Sequence, residues 1–301
     1  MARILSPGVI IGLGAGAAAV VAGIALIGGP SADRPGGATG PVSSPPSEAG
    51  SGAAPTGEDS LIQPAQANAP LAPGAADISF EDETLVFRAD FPAGAGNDLI
   101  LRSLRDEAQD YLDRMKSSAR TEFERAAREG DVSRPWSVSV AWRVTARGGG
   151  LISLAGQAIE DTGGAHPSLA FDARTGRSAT GEKIGIEDML IPERSPSPAL
   201  VIAVCEALKA EKSRTIGSAT IFDEPIVCAG SSANLSLEDA QISLASSDQE
   251  GRFGGLHVEF PPYAVGSWAE GPYRLIIQQS VFADDLRAEY RALFSGTAPA
   301  R

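Results

Sequence analysis

WSVSVAWRV, residues 136 to 144, decides how the rest of the chain is read. Trp136, Val138, Val140, Trp142 and Val144 fall on one side of an extended chain, and Ser137, Ser139, Ala141 and Arg143 on the other. A period of two with β-branched and aromatic residues predicts a strand with one buried face. Downstream, Gly148-Gly149-Gly150 is a turn, Leu151 to Ile159 a returning strand, and Ser168 to Ala173 a third strand that ends at the Thr175-Gly176 turn. Upstream, Glu83 to Phe91 reads as a strand. Asn97 to Glu129 reads as a helix, with Leu101, Leu104, Ala108, Tyr111, Met115, Ala119 and Phe123 at steps of three or four. Asn97 is its expected cap and Gly130 its stop. Further on, the pattern predicts a helical turn at 187–190, a helix at 198–212, strands at 240–246, 254–260 and 271–279, and a closing helix at 282–293. Strands mixed with a few helices, without regular alternation, predict an α+β fold: a mainly antiparallel sheet packed with a long N-terminal helix and shorter C-terminal helices.

The 301 residues carry a formal net charge of -13. That excess argues against nucleic acid as a partner, because phosphate binding needs a clustered positive surface. Residues 8–29 hold no charged side chain. As a helix they would span about 33 Å, the thickness of a hydrocarbon core. With Arg3 ahead of them, the expectation is a signal-anchor, with a cleaved signal peptide as the rival reading: a short cytoplasmic tail (1–7), a transmembrane anchor (8–29) and an exported remainder. The chain is therefore expected in the inner (cytoplasmic) membrane of a bacterium, single pass, with its C-terminal domain in the periplasm. Residues 30–76 are Pro, Gly, Ala and Ser with scattered acids, a composition that predicts a disordered linker.

Two stretches stand apart. EDTGGAHPSLAFDARTG, residues 160–176, places one of only two histidines, His166, behind Gly163 and Gly164 and before Pro167. Four readings are open for it: a histidine bracing its own loop, a binding loop, a catalytic base, or a metal ligand. The two cysteines are not in a C-x-x-C pair, and neither G-x-S-x-G nor H-E-x-x-H occurs, so no metal and no cofactor are expected. FPPYAVGSWAEGPY, residues 260–273, carries Phe260, Tyr263, Trp268 and Tyr273 among Pro and Gly. Such a segment suits stacking on sugar rings or anchoring a protein partner, or else it folds into the core. Cys205 and Cys228 are either one disulfide bridge, as an oxidising compartment allows, or two buried thiols.

TGGAHPSLAFDARTG followed by IEDML, and later GGLHVEFPPYAVGSWAEGPYRLII, resemble the two signatures of the RsiV-like extracytoplasmic domain. That is a domain of unknown function whose best understood member is a lysozyme-sensing anti-sigma factor. Residues 77–145 resemble the N-terminal domain of PdaC-type deacetylases. The resemblance implies a PdaC-type subdomain over 77–145, an RsiV-like domain over 146–293 and a flexible tail over 294–301. It also implies a binding module and not an enzyme, recognising a lysozyme-like protein or a peptidoglycan fragment through Gly163, Gly164, His166, Pro167, Tyr263, Trp268 and Tyr273. The alternatives are a cell-wall glycan hydrolase or deacetylase-like enzyme using Asp161, His166 or Glu259 as acid or base, and a structural envelope protein without ligand.

Overall fold

The computed structural model describes residues 77–93, 98–229 and 233–300. The expected tail, anchor and linker (1–76) lie outside the described residues, as does Asn97. Among the described residues no helix is long and apolar enough to cross a membrane.

The fold is α+β. Five strands, β1 (Ile78–Glu81), β2 (Leu85–Asp90), β3 (Trp136–Gly148), β4 (Leu151–Asp161) and β5 (Ser168–Arg177), pair in chain order into one sheet. Only β2 and β3 run parallel. Parallel neighbours need a crossover, and α1 (Leu99–Glu129) supplies it. Its cap is Asp98, whose side chain accepts from the Ile100 amide, and Gly130 closes it at φ +77°. At 1.5 Å per residue its 31 residues extend about 46 Å. Leu101, Leu104, Ala108, Tyr111 and Met115 bury against Leu85, Phe87, Val138, Val140, Ile152 and Leu154. The alternation in WSVSVAWRV thus sorts one face toward α1.

A second layer lies over the opposite face. It holds α2 (Ile186–Met189), α3 (Pro198–Ile216), the small β6–β7 hairpin (Thr220–Ile221 and Glu224–Pro225), and the three antiparallel strands β8 (Gln241–Ser246), β9 (Phe253–Phe260) and β10 (Tyr273–Gln278). Its core gathers Met189, Leu200, Val204, Leu208, Phe253, Leu256, Val258, Phe260, Phe282 and Phe294. Cys205 on α3 is bonded to Cys228, with Cα atoms 5.4 Å apart.

Besides the cap, four expectations change. Thr175-Gly176 is not a turn: both residues pair with β4, and β5 runs on to Arg177. The closing helix at 282–293 is broken into 3₁₀ turns at Gln279–Val281 and Ala283–Asp285 and one helical turn at Ala288–Arg291 (α4). Tertiary contacts override its helical composition: Ser197 donates to Asp285, and the Arg287 guanidinium donates to the Leu190 carbonyl at 2.9 Å. The tail from 294 is packed. Phe294 and Ala298 are buried, and Thr297 is held by Asp248. The division at 145/146 falls inside β3, and one sheet takes strands from both sides of it. β1 and the β6–β7 hairpin have no counterpart in the sequence reading, being too short to set up a pattern.

Candidate functional site

The β4–β5 connection carries the GGAHP loop. Asp161 ends β4, accepts from the Gly163 amide at 3.1 Å and takes both guanidinium nitrogens of Arg134 at 2.9 and 2.7 Å. Those bonds hold its carboxyl below the usual carboxylate range, the Arg134 guanidinium first among them. Gly163 has φ +92°, a conformation that favours glycine, and the turn it makes delivers an exposed His166. His166 Nδ1 lies 3.0 Å from the Pro167 carbonyl and Nε2 lies 3.1 Å from the Tyr263 hydroxyl. The imidazole stacks on Trp268, with ring centroids 4.3 Å apart and planes 21° apart.

The two stretches singled out in the sequence therefore meet. Gly163, Gly164, His166 and Tyr263 are exposed, while Pro167 and Trp268 are half-buried. Tyr263 is 57% exposed and sits at φ +71°, strained for a residue with a Cβ. Tyr273 does not join this surface. It is buried in the core of the second layer, its hydroxyl donating to Glu270 Oε2 at 2.8 Å. Burial, and then Glu270 beside it, push its hydroxyl pKa up. Trp268 is covered in part by the imidazole.

What fixes the aromatic segment is a lysine at the end of the helix expected over 198–212, to which the sequence assigned no role. Lys212 of α3 is fully buried. Its ammonium donates to Glu270 Oε2 and to the Val265 carbonyl, both at 2.7 Å, and lies 5.0 Å from the centroid of the Tyr273 ring. Glu270 also accepts from the Ser267 amide at 2.8 Å. Burial pushes the Glu270 carboxyl up, but Lys212, Ser267 and Tyr273 outweigh it and hold it below the ordinary range. These bonds shape the turn Trp268–Glu270 and so set the ring on which His166 rests.

Behind the patch, a cleft of about 630 Å³ opens between the two layers. Asp90, Arg143, Gln157 and Phe171 line it from the five-stranded sheet, and His257, Glu259 and Arg274 from the second layer. Arg143 crosses to Glu259 at 3.0 Å, and Arg274 crosses back to Gln157 at 3.3 Å while lying 4.6 Å from the centroid of the Phe171 ring. The layers touch at one end, where Ser153 Oγ accepts from the Leu244 amide at 2.8 Å. They meet again at the other through His166, Tyr263 and Trp268. Asp161, His166 and Glu259, the candidate acids and bases, thus engage different partners: Arg134, the aromatic patch, and the cleft arginines. No group of acidic, histidine and cysteine side chains arranged to hold a metal occurs among the described residues. No single residue pattern marks the cleft, because Arg143 and Glu259 are 116 positions apart.

No family model matches the chain, and no curated protein matches it. Among solved structures, it is similar to a DUF3298 family member from Bacteroides fragilis, at 13% identity and a TM-score of 0.43, over 62% of this chain and 70% of that one. It is similar as well to a DUF3298 family protein from Pseudomonas aeruginosa PAO1, at 16% identity and a TM-score of 0.43, over 72% of this chain and 91% of that one.

Proposed function

We propose that the chain is an RsiV-like extracytoplasmic binding module that recognises a lysozyme-like protein or a peptidoglycan fragment through the surface built on His166, Tyr263 and Trp268. The observation that carries this reading is the contact of His166 with Tyr263 and Trp268. Two loops about a hundred residues apart in sequence spend their unusual residues on one joint surface. Aromatic rings held rigidly at a loop surface supply contact area at low entropic cost. The strained, exposed Tyr263 adds support, since such conformations gather at functional sites. A net charge of -13 suits a basic partner such as a lysozyme. The Cys205–Cys228 bridge suits an oxidising compartment, in keeping with an anchor at 8–29 and a periplasmic domain.

The test is binding of the full chain to a c-type lysozyme and, separately, to soluble muropeptides. Trp268→Ala weakens binding by about 2 kcal/mol or more, as a hot spot does. His166→Ala weakens it less and lowers the melting temperature more. Loss of the idea follows if neither probe binds, or if folded Trp268→Ala binds as the parent does.

A further inference from the structure

The interlayer cleft is a separate feature, and its chemistry differs from that of the patch. Its volume of about 630 Å³ lies within the range of small-molecule sites. Ala141, Ala155 and Phe171 give it an apolar floor. Its charges are arranged in two groups. Glu259, with a side chain only 4% exposed, is bonded by both Arg143 and Arg274, so two guanidiniums share one carboxylate and the group is net positive. Arg143 commits one nitrogen to Glu259, and its side chain remains 49% exposed at the opening. The second group is Asp90 at the end of β2. Its carboxylate makes no ion pair or hydrogen bond among the described residues. Asp90 pairs in register with Ala141, so Arg143 is one strand across and two residues along on the same face. Strand geometry puts the two Cα atoms about 8 Å apart. A negative and a positive anchor thus stand side by side on one wall, unjoined to each other.

We propose that this cleft binds a small zwitterion of the amino-acid or short-peptide type. The ligand's carboxylate is taken by Arg143 and its ammonium by Asp90, with its body over Ala141 on the wall between them. Guanidinium is the donor suited to a carboxylate, because its planar fork presents paired N–H groups. Asp90 gives the matching preference for a cation. A purely anionic ligand would meet Asp90, and a purely cationic one would meet the Arg143–Arg274 side. This site does not depend on the reading of the patch.

The probe is the dipeptide alanyl-alanine, titrated calorimetrically into the full chain alongside its N-acetyl form and its C-terminal amide. The parent binds the dipeptide, and each blocked form binds at least about tenfold more weakly. Asp90→Asn weakens the dipeptide but not the N-acetyl form further, and Arg143→Gln weakens the dipeptide but not the amide further. Absence of binding to the parent, or equal binding of all three probes, overturns the proposal whatever the variants do. Trp268→Ala, which tests the patch, leaves the dipeptide's affinity unchanged, so the two readings fail separately.

Discussion

The two layers reach stability by different routes. The sheet β1–β5 with α1 is built by repetition: a stripe every three or four residues on the helix, alternation on the strands, and one continuous apolar interface between them. The second layer is built from short pieces, three strands, a few turns and α3, pinned by single contacts: one cystine, one buried lysine, one arginine on a carbonyl. An interface made of many similar contacts loses a fraction when one is removed. A layer made of pins loses an element. Loops held by pins can adopt shapes that repetition does not offer, and the aromatic patch hangs on such a loop.

The largest expected effect is at the pin closest to the patch. Lys212→Ala leaves Glu270 without its buried ammonium and the Val265 carbonyl without its donor. We expect a loss of about 3–5 kcal/mol in urea unfolding. A loss under about 1 kcal/mol would erase the contrast between the layers. Next is the cystine. Its 23-residue separation gives roughly 3 kcal/mol in the chain-entropy treatment, so Cys205→Ala with Cys228→Ala lowers stability by about that much. Mass mapping of unreduced protein should recover the two peptides linked.

Asp172 offers a smaller and pH-dependent effect in the first layer. Burial pushes its carboxyl up to about 6, against the pull of Arg174. Its pKa is raised on folding, so its contribution is fully present below the unfolded value near 4 and is lost as pH rises through about 6. Between pH 4 and 7 the parent should therefore lose on the order of 2 kcal/mol relative to Asp172→Asn. Parallel stability curves for the two proteins would rule this out. The smallest effect is at the helix cap: Asp98→Ala removes the bond to the Ile100 amide and the ion pair with Arg147 and costs about 1 kcal/mol. A much larger loss there would mean that the repetitive layer, too, hangs on single contacts.

Legibility follows the same division. α1 and β3 are readable because their signals are local: Leu101, Leu104 and Ala108, or Val138 and Val140, announce a buried face within a few residues. The cap fell one residue from its expected place because Asn97 and Asp98 are chemically equivalent caps side by side. The broken segment after Phe282 contains nothing that stops a helix; what breaks it is Ser197 and Leu190, some 90 positions earlier. The histidine loop and the aromatic segment are each conspicuous from composition. Their meeting rests on contacts across 97 positions, which no local pattern records. Nothing local marks Lys212 as buried, because its partner, Glu270, lies 58 residues away. The cleft was invisible for the same reason, being made of ordinary strand residues whose meaning is in the pairing of the layers.

The bond from the Leu244 amide to Ser153 has one more consequence. β8 is an edge of the three-stranded sheet, and an edge presents unpaired amides and carbonyls on which a strand from another molecule can grow. Here the Leu244 amide is spent on a serine hydroxyl of the neighbouring sheet, and Ser246 donates to the Thr145 carbonyl close by. The strand's exposed margin is turned inward against its own molecule, which leaves less of it to template self-association at high concentration.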